Sequence, residues 1–175
     1  MPEDLREATP RIYVLLLRQD DPRKCTAAKL AKFGLATPLF RVKQIPRKSL
    51  VLNPFAPRVL LAGDRLLAGA HGLVAVDCSW ERVQRTFGSR LPGDGRRLPT
   101  LLAANPVNYA KQHKLSSVEA LAAALMVMGF RESAARLLNL FKWGETFLTL
   151  NSEPLEAYSL ASDAKAMSDA EAQFF

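Results

Sequence analysis

Three short stretches hold side chains whose types and spacing could do chemistry. Lys24-Cys25-Thr26 follows an apolar run, Ile12 to Leu17; Leu52-Asn53-Pro54 closes a second, and Asp77-Cys78-Ser79-Trp80 a third, Gly72 to Val76. Thr26 stands where a helix is expected to begin, so its hydroxyl and the free amides of a helix N-terminus suit an anion; an ordinary N-cap is the plainer reading. Asp77 could pair with an ammonium group or take up a proton. An unperturbed aspartate, with a pKa of about 3.9, is a weak base, which favours the electrostatic role. Trp80 offers either an apolar wall with a negative ring face for a cation, or plain core packing.

Other chemistries lack their residues. No Gly-x-Gly-x-x-Gly or Gly-x-x-x-x-Gly-Lys-Ser/Thr run is present, so neither a dinucleotide site nor a P-loop is supported. His71 and His113 stand alone, and no metal-spaced His/Cys cluster or catalytic triad appears. Cys25 and Cys78 are too far apart for a Cys-x-x-Cys motif, so reduced thiols in a cytosolic setting are expected, without metal.

The stretches need elements to position them. Continuous apolar runs rich in β-branched residues suit parallel strands buried on both faces, and ligands of such sheets bind beyond the C-terminal strand ends. Strands are therefore expected at 12–17, 38–45, 50–52 and 72–76, with a helix from Ala27 to Phe33 stopped by Gly34. Val59 to Ala70 reads equally as helix or as strand with a turn. Gly88 to Pro99, rich in Gly, Pro and Arg, reads as an exposed, mobile loop. Beyond it the pattern turns helical. Ser116-x-x-Glu119 is a capping box heading a helix to about Met128, and a second helix covers Glu132 to Leu140. Short helical pieces run on to about Leu160, and Ser162 to Phe175 reads as a frayed helix or acidic tail. The expected organisation is an α/β domain over 1–99 and a mainly helical domain over 100–175.

Charge divides along the same line. The net charge is +7, but residues 1–115 carry 20 Lys+Arg against 9 Asp+Glu, while residues 116–175 carry 4 against 8. The basic residues cluster between Arg18 and Lys48 and again between Arg82 and Arg97. Either cluster alone could be a solvated surface; two in one half favour a polyanionic partner. No apolar stretch reaches the roughly 20 residues of a membrane span, and the N-terminus has acids where a signal peptide would be basic. A soluble, cytoplasmic protein is expected.

Six motifs in order give the chain a resemblance: Asp20-Asp-Pro-Arg-Lys-Cys-Thr26, Lys29-Leu-Ala-Lys-Phe-Gly-Leu35, Asp77-Cys-Ser-Trp80, Leu101-Leu-Ala-Ala-Asn-Pro-Val-Asn-Tyr109, Ser117-Val-Glu-Ala-Leu-Ala-Ala123 and Phe141-Lys-Trp-Gly144. From about Ile12 to Tyr158 it resembles the small-subunit rRNA aminocarboxypropyltransferases of archaea and eukaryotes. It departs from the family pattern at two glycines, having Ala27 and Ala110 instead. The resemblance implies a SPOUT-like parallel sheet with a C-terminal trefoil knot, followed by the helical domain that completes the knotted cofactor site. It implies transfer of the aminocarboxypropyl group of S-adenosyl-L-methionine (SAM) to N3 of a pseudouridine, typically N1-methylated, with methylthioadenosine leaving. The implied partner is small-subunit rRNA or a pre-ribosomal particle, and a monomer is expected.

Carried over residue by residue, the resemblance assigns Thr26, Leu52, Pro54, Val76, Asp77 and Trp80 to the SAM site, with Asp77 the catalytic candidate. The backbone of Leu101, Leu102, Ala103 and Ala104 would hold the adenine. RNA contacts would come from Lys24, Lys29, Arg96 and Arg97. SAM has three electrophilic carbons on one sulfonium, and the one aimed at the nucleophile reacts. Aminocarboxypropyl transfer therefore needs the methyl buried, against Trp80, and the methionine chain facing RNA. Two other functions stay open: a SPOUT-type RNA methyltransferase and an assembly factor that binds RNA without catalysis.

Overall fold

The computed structural model describes residues 8–17, 25–78, 82–88 and 90–175. Five strands, β1 (Ile12–Leu16), β2 (Thr37–Leu39), β3 (Leu50–Leu52), β4 (Leu73–Asp77) and β5 (Asp94–Arg96), form one sheet in the order β2-β1-β4-β3-β5. Every pairing is parallel. The alternation of a strand divides its side chains between two faces. Val14, Leu50, Leu52, Leu73 and Ala75 join the large core, while Leu15, Val51 and Val74 join a small cluster with Leu39 and Ile45 on the other face. Both faces being covered explains why β1, β3 and β4 read as unbroken apolar runs.

Helices α1 (Thr26–Lys32), α2 (Arg65–His71) and α3 (Val83–Phe87) occur between the strands, and α4 (Ser117–Val127), α5 (Arg131–Leu138), α6 (Gly144–Leu150), α7 (Ser152–Leu160) and α8 (Ala164–Phe174) follow them. α4 is apolar almost all round and buried over most of its length, as a helix enclosed on every side must be. It packs on α1, β4, α5 and α7, so residues from both 1–99 and 100–175 share the large core. No helix of the described residues is long and apolar enough to cross a membrane.

Several expectations are corrected. The SPOUT-like sheet with a C-terminal trefoil knot gives way to an α/β fold built on the five-stranded parallel sheet, with helices and no strand after β5. Threading of a backbone is set by tertiary packing, and no residue pattern of this chain specifies it. The strand expected at 38–45 stops at Leu39, and Val42–Gln44 is a 3-10 turn. Val59 to Ala70 resolves as a 3-10 turn running into α2. The loop expected from Gly88 to Pro99 contains β5, an edge strand. The stretch expected as a frayed helix or an acidic tail forms α8, capped by Asp163 and docked through Met167 and Ala170.

Candidate functional site

β1 and β4 lie side by side, with Leu16 opposite Asp77. After β1 the chain turns through α1 to β2 on one side; after β4 it turns through α3 to β5 on the other. The crevice at this reversal is where open parallel sheets bind ligands. Asp77 is the last residue of β4 and half-buried, and its alternation places it on the face covered by α1 and α4. There Asp77 Oδ2 accepts the Cys25 thiol at 2.9 Å, and Oδ1 accepts the Ser117 hydroxyl at 3.4 Å. Burial first, and then the bond to Asp77, pushes the Cys25 thiol up to about 12, so it stays a neutral donor.

The expected N-cap of α1 moves by one residue. Cys25 caps the helix, its Sγ accepting the Ala28 amide, and Thr26 is the first helical residue. Thr26 Oγ1 instead accepts the Val118 amide of α4 at 3.2 Å. A hydroxyl accepting in this way keeps its own proton to donate. Ser117 and Val118 thus tie the ends of β4 and α1 to one helical turn. The preceding residue, Ser116, caps α4 in a capping box with Glu119.

Glu119 does more than close that box. It is fully buried, and its carboxylate accepts the amides of Ala104 (2.6 Å), Asn105 (3.0 Å) and Ser116 (2.7 Å), the Asn105 side chain and the Ser116 hydroxyl. The loop it grips is the stretch expected to hold adenine. Farther along that loop, Asn151 takes the Leu102 amide and gives to the Leu102 carbonyl, both at 2.8 Å. Ala103 exchanges hydrogen bonds with Lys111 and Ala110, and Tyr158 and Glu171 hold Thr100. The amides of Leu102, Ala103 and Ala104 are all engaged within the protein, so the loop presents a fixed shape.

The other expected site residues fall differently. Leu52 is buried at the end of β3, Pro54 is exposed just beyond it, and Val76 is half-buried one residue before Asp77. Lys29 is exposed, but its ammonium caps the Leu140 carbonyl at 2.8 Å and lies 4.8 Å from the Phe141 ring centroid. Arg96 is 3 % exposed and bonded to Asp64 and Asp94, so its guanidinium faces the interior and is corrected to a structural role. Arg97 beside it is half-buried. Lys24 and Trp80 lie outside the described residues. Sequence reasoning missed Ser117, Asn151, Tyr158 and Glu171. The capping-box signal pointed at the right turn of α4, but nothing local marks an asparagine or tyrosine whose partner is 49 or 58 residues away.

Residues 50–175 match the family described as the C-terminal part of ribosome biogenesis proteins. Residues 10–43 also match a possible Fer4-like domain in RNase L inhibitor. An iron–sulfur cluster of that kind needs four thiolates, whereas this stretch has one cysteine, Cys25, whose thiol is held protonated. The residues do not fit such a cluster.

Proteins named 16S rRNA aminocarboxypropyltransferase align over most of the chain. The one from Methanopyrus kandleri is 49% identical over 151 residues, 86% of this chain and 89% of the relative. That from Thermoplasma acidophilum is 46% identical over 154 residues, 88% of this chain and 93% of the relative. The solved structure of the SAM-dependent rRNA:acp-transferase Tsr3 from Vulcanisaeta distributa superposes with a TM-score of 0.83 at 39% identity, covering 94% of this chain and 95% of that one. This match also overturns the SPOUT-like, trefoil-knotted class: the fold is the α/β architecture, with its five-stranded parallel sheet, that the chain shares with that transferase. With relatives at this identity over nearly its full length, the chain belongs to the 16S rRNA aminocarboxypropyltransferase family.

Proposed function

We propose that the protein transfers the 3-amino-3-carboxypropyl group of SAM to N3 of a pseudouridine, typically N1-methylated, in small-subunit rRNA. The observation that carries this reading is the convergence of Asp77, Thr26 and the clamped loop 100–105 on one turn of α4, in a chain of this family. SAM supplies a carbon made electrophilic by the neighbouring sulfonium. N3 bonds to that carbon, the carbon–sulfur electron pair stays on sulfur, methylthioadenosine leaves, and the N3 proton passes to solvent.

The residues fit this co-substrate. The Asp77 carboxylate, held by a thiol and a hydroxyl, is placed to pair with the methionine ammonium. Thr26 keeps a hydroxyl proton for the methionine carboxylate. Leu52 gives apolar wall on the sheet face that carries Asp77, whereas the Val76 side chain packs on the opposite face and offers the site only its backbone; the loop from Leu101 to Ala104 gives a pre-shaped wall for the adenine. Holding SAM in one orientation is the catalytic contribution, because orientation selects the carbon that reacts. Lys24, Lys29 and Arg97 remain the proposed RNA contacts, and Arg96 is withdrawn from them.

The test is a pair of incubations with small-subunit rRNA, one using carboxyl-labelled and one using methyl-labelled SAM. Carboxyl label alone should enter the RNA, at N3 by mass spectrometry of the nucleosides. Label entering only from the methyl group would make the protein a methyltransferase; no transfer would make it an RNA-binding assembly factor.

A further inference from the structure

A groove on the opposite sheet face from α4 is not used by any of these steps. It has a volume of about 320 Å³ and lies between the end of β3, β5 and the C-terminal end of α3. We propose that it binds one unstacked nucleotide of single-stranded RNA flanking the target, an inference that rests on the protein acting on RNA.

The size is at the low end for small-ligand pockets, suiting one nucleotide and excluding a duplex. Its floor is Val51 and Leu91, both packed in the small core of this face. Phe87 forms one wall, its ring fixed against Phe55 at 6.4 Å between centroids and 61° between planes. Phe55 itself is 52 % exposed. A fixed aromatic wall of this kind is what a base stacks on. Asn53 contributes a donor: its Oδ1 is committed to the Phe55 amide at 2.9 Å, which leaves the Nδ2 amide for a base carbonyl.

The backbone keeps the groove open. Gly93 and Gly95 both line it. A Cβ on Gly93 would come within 2.6 Å of the Val51 side chain, and Gly93 has φ +90°, so no other residue fits there without strain. The same alternation turns Asp94 and Arg96 to the other face, where they pair. Among the described residues, Arg90 is then the charged side chain in the lining, unmatched there by a carboxylate and exposed at the rim. An aromatic wall, an amide donor and a guanidinium in one narrow groove fit a base and its phosphate.

The test measures binding of a fluorescein-labelled oligouridylate, single-stranded and annealed to its complement, to the full chain and to Phe87→Ala and Arg90→Gln. Each variant should weaken single-stranded binding about tenfold and duplex binding much less, with SAM affinity by calorimetry unchanged. Arg90 is exposed, so Arg90→Gln keeps the test valid if Phe87→Ala does not fold. Two results would overturn the proposal: single-stranded binding unaltered in Arg90→Gln, or equal loss for both RNA forms. Transfer of the carboxyl label by either variant would meanwhile leave the reading of the main site intact.

Discussion

Glu119 Oε1 accepts the Ala104 amide at 2.6 Å, between a residue with no exposed surface and one with 3 %. The bond spans 15 residues and joins the first turn of α4 to the loop proposed to hold adenine. Its neighbours in that turn, Ser117 and Val118, reach Asp77 and Thr26. One helical turn therefore sets the relative positions of the loop, the strand end and the start of α1. This gives the site preorganisation through backbone bonds.

Glu119→Ala should then damage both stability and the site. It would leave the buried amides of Ala104 and Asn105 without an acceptor and open the Ser116 cap, at a cost of about 3 kcal/mol or more. Glu119→Gln keeps one oxygen but turns an NH2 toward donors, so about half that loss is expected. Denaturant unfolding should rank wild type above Gln above Ala, and the KM for SAM should rise in the same order while kcat changes less. Equal stability of all three would mean that water replaces the carboxylate.

Asp77→Asn separates charge from shape. The amide can still accept the Cys25 thiol, but it cannot pair with an ammonium. SAM affinity by calorimetry should fall about tenfold to a hundredfold, the value of a charged hydrogen bond. Unfolding should change little. A variant that binds SAM normally would remove Asp77 from the cofactor site.

How far the sequence reached follows from which interactions are local. β1, β3 and β4 were legible because burial on both faces makes them apolar throughout, and Asp77 was legible because it ends such a run. β5 was not: Asp94-Gly95-Arg96 has no apolar residue, and what buries Arg96 is pairing with Asp64 and Asp94. α8 was only half legible, as a frayed helix or a tail, since Met167 and Ala170 are the residues it buries. The clamps on the loop come from Asn151, Tyr158 and Glu171, whose partners are fixed by helix packing alone.

Arg96 leads to a prediction opposite to the one its basic neighbourhood suggested. Arg96→Ala removes a buried cation and leaves Asp64, 13 % exposed, without its ion pair, while the half-exposed Asp94 can turn to water, and should cost about 3 kcal/mol of stability. In the protein that remains folded, the salt dependence of RNA binding should not change. Arg97→Ala should do the reverse, lowering the salt slope by about one unit with little effect on unfolding.

Titration should expose the Cys25 thiol in the stability profile. Its pKa in the folded protein lies above the unfolded value, so the folded state holds a proton that the unfolded state releases. The contribution is complete below the unfolded thiol pKa of about 8.5 and is lost as pH rises toward about 12. Tyr158, raised by burial and then by Glu171, adds to this alkaline limb. Cys25→Ser keeps a donor for Asp77 and an acceptor for the Ala28 amide but does not titrate. Its stability should fall less steeply above pH 9 than that of the wild type. Asp94, held below the usual carboxylate range by the Arg96 guanidinium, acts at the other end, its contribution present above the unfolded value and lost on acidification.

Ala110 is the place where a substitution should help. Its φ is +61°, in the left-handed region that costs a non-glycine residue roughly 1–2 kcal/mol, and its amide donates to the Ala103 carbonyl at 2.7 Å. The strain persists because the exchange with Ala103 and Lys111 over-determines the backbone. Ala110→Gly relieves it but gives the unfolded chain more freedom, so the expected net gain is about 0.5–1 kcal/mol. Denaturant unfolding should move to higher midpoint with an unchanged slope, and SAM affinity should stay the same because the hydrogen bonds to Ala103 remain. A loss of SAM affinity with the gain in stability would mean that the strained alanine itself shapes the adenine wall.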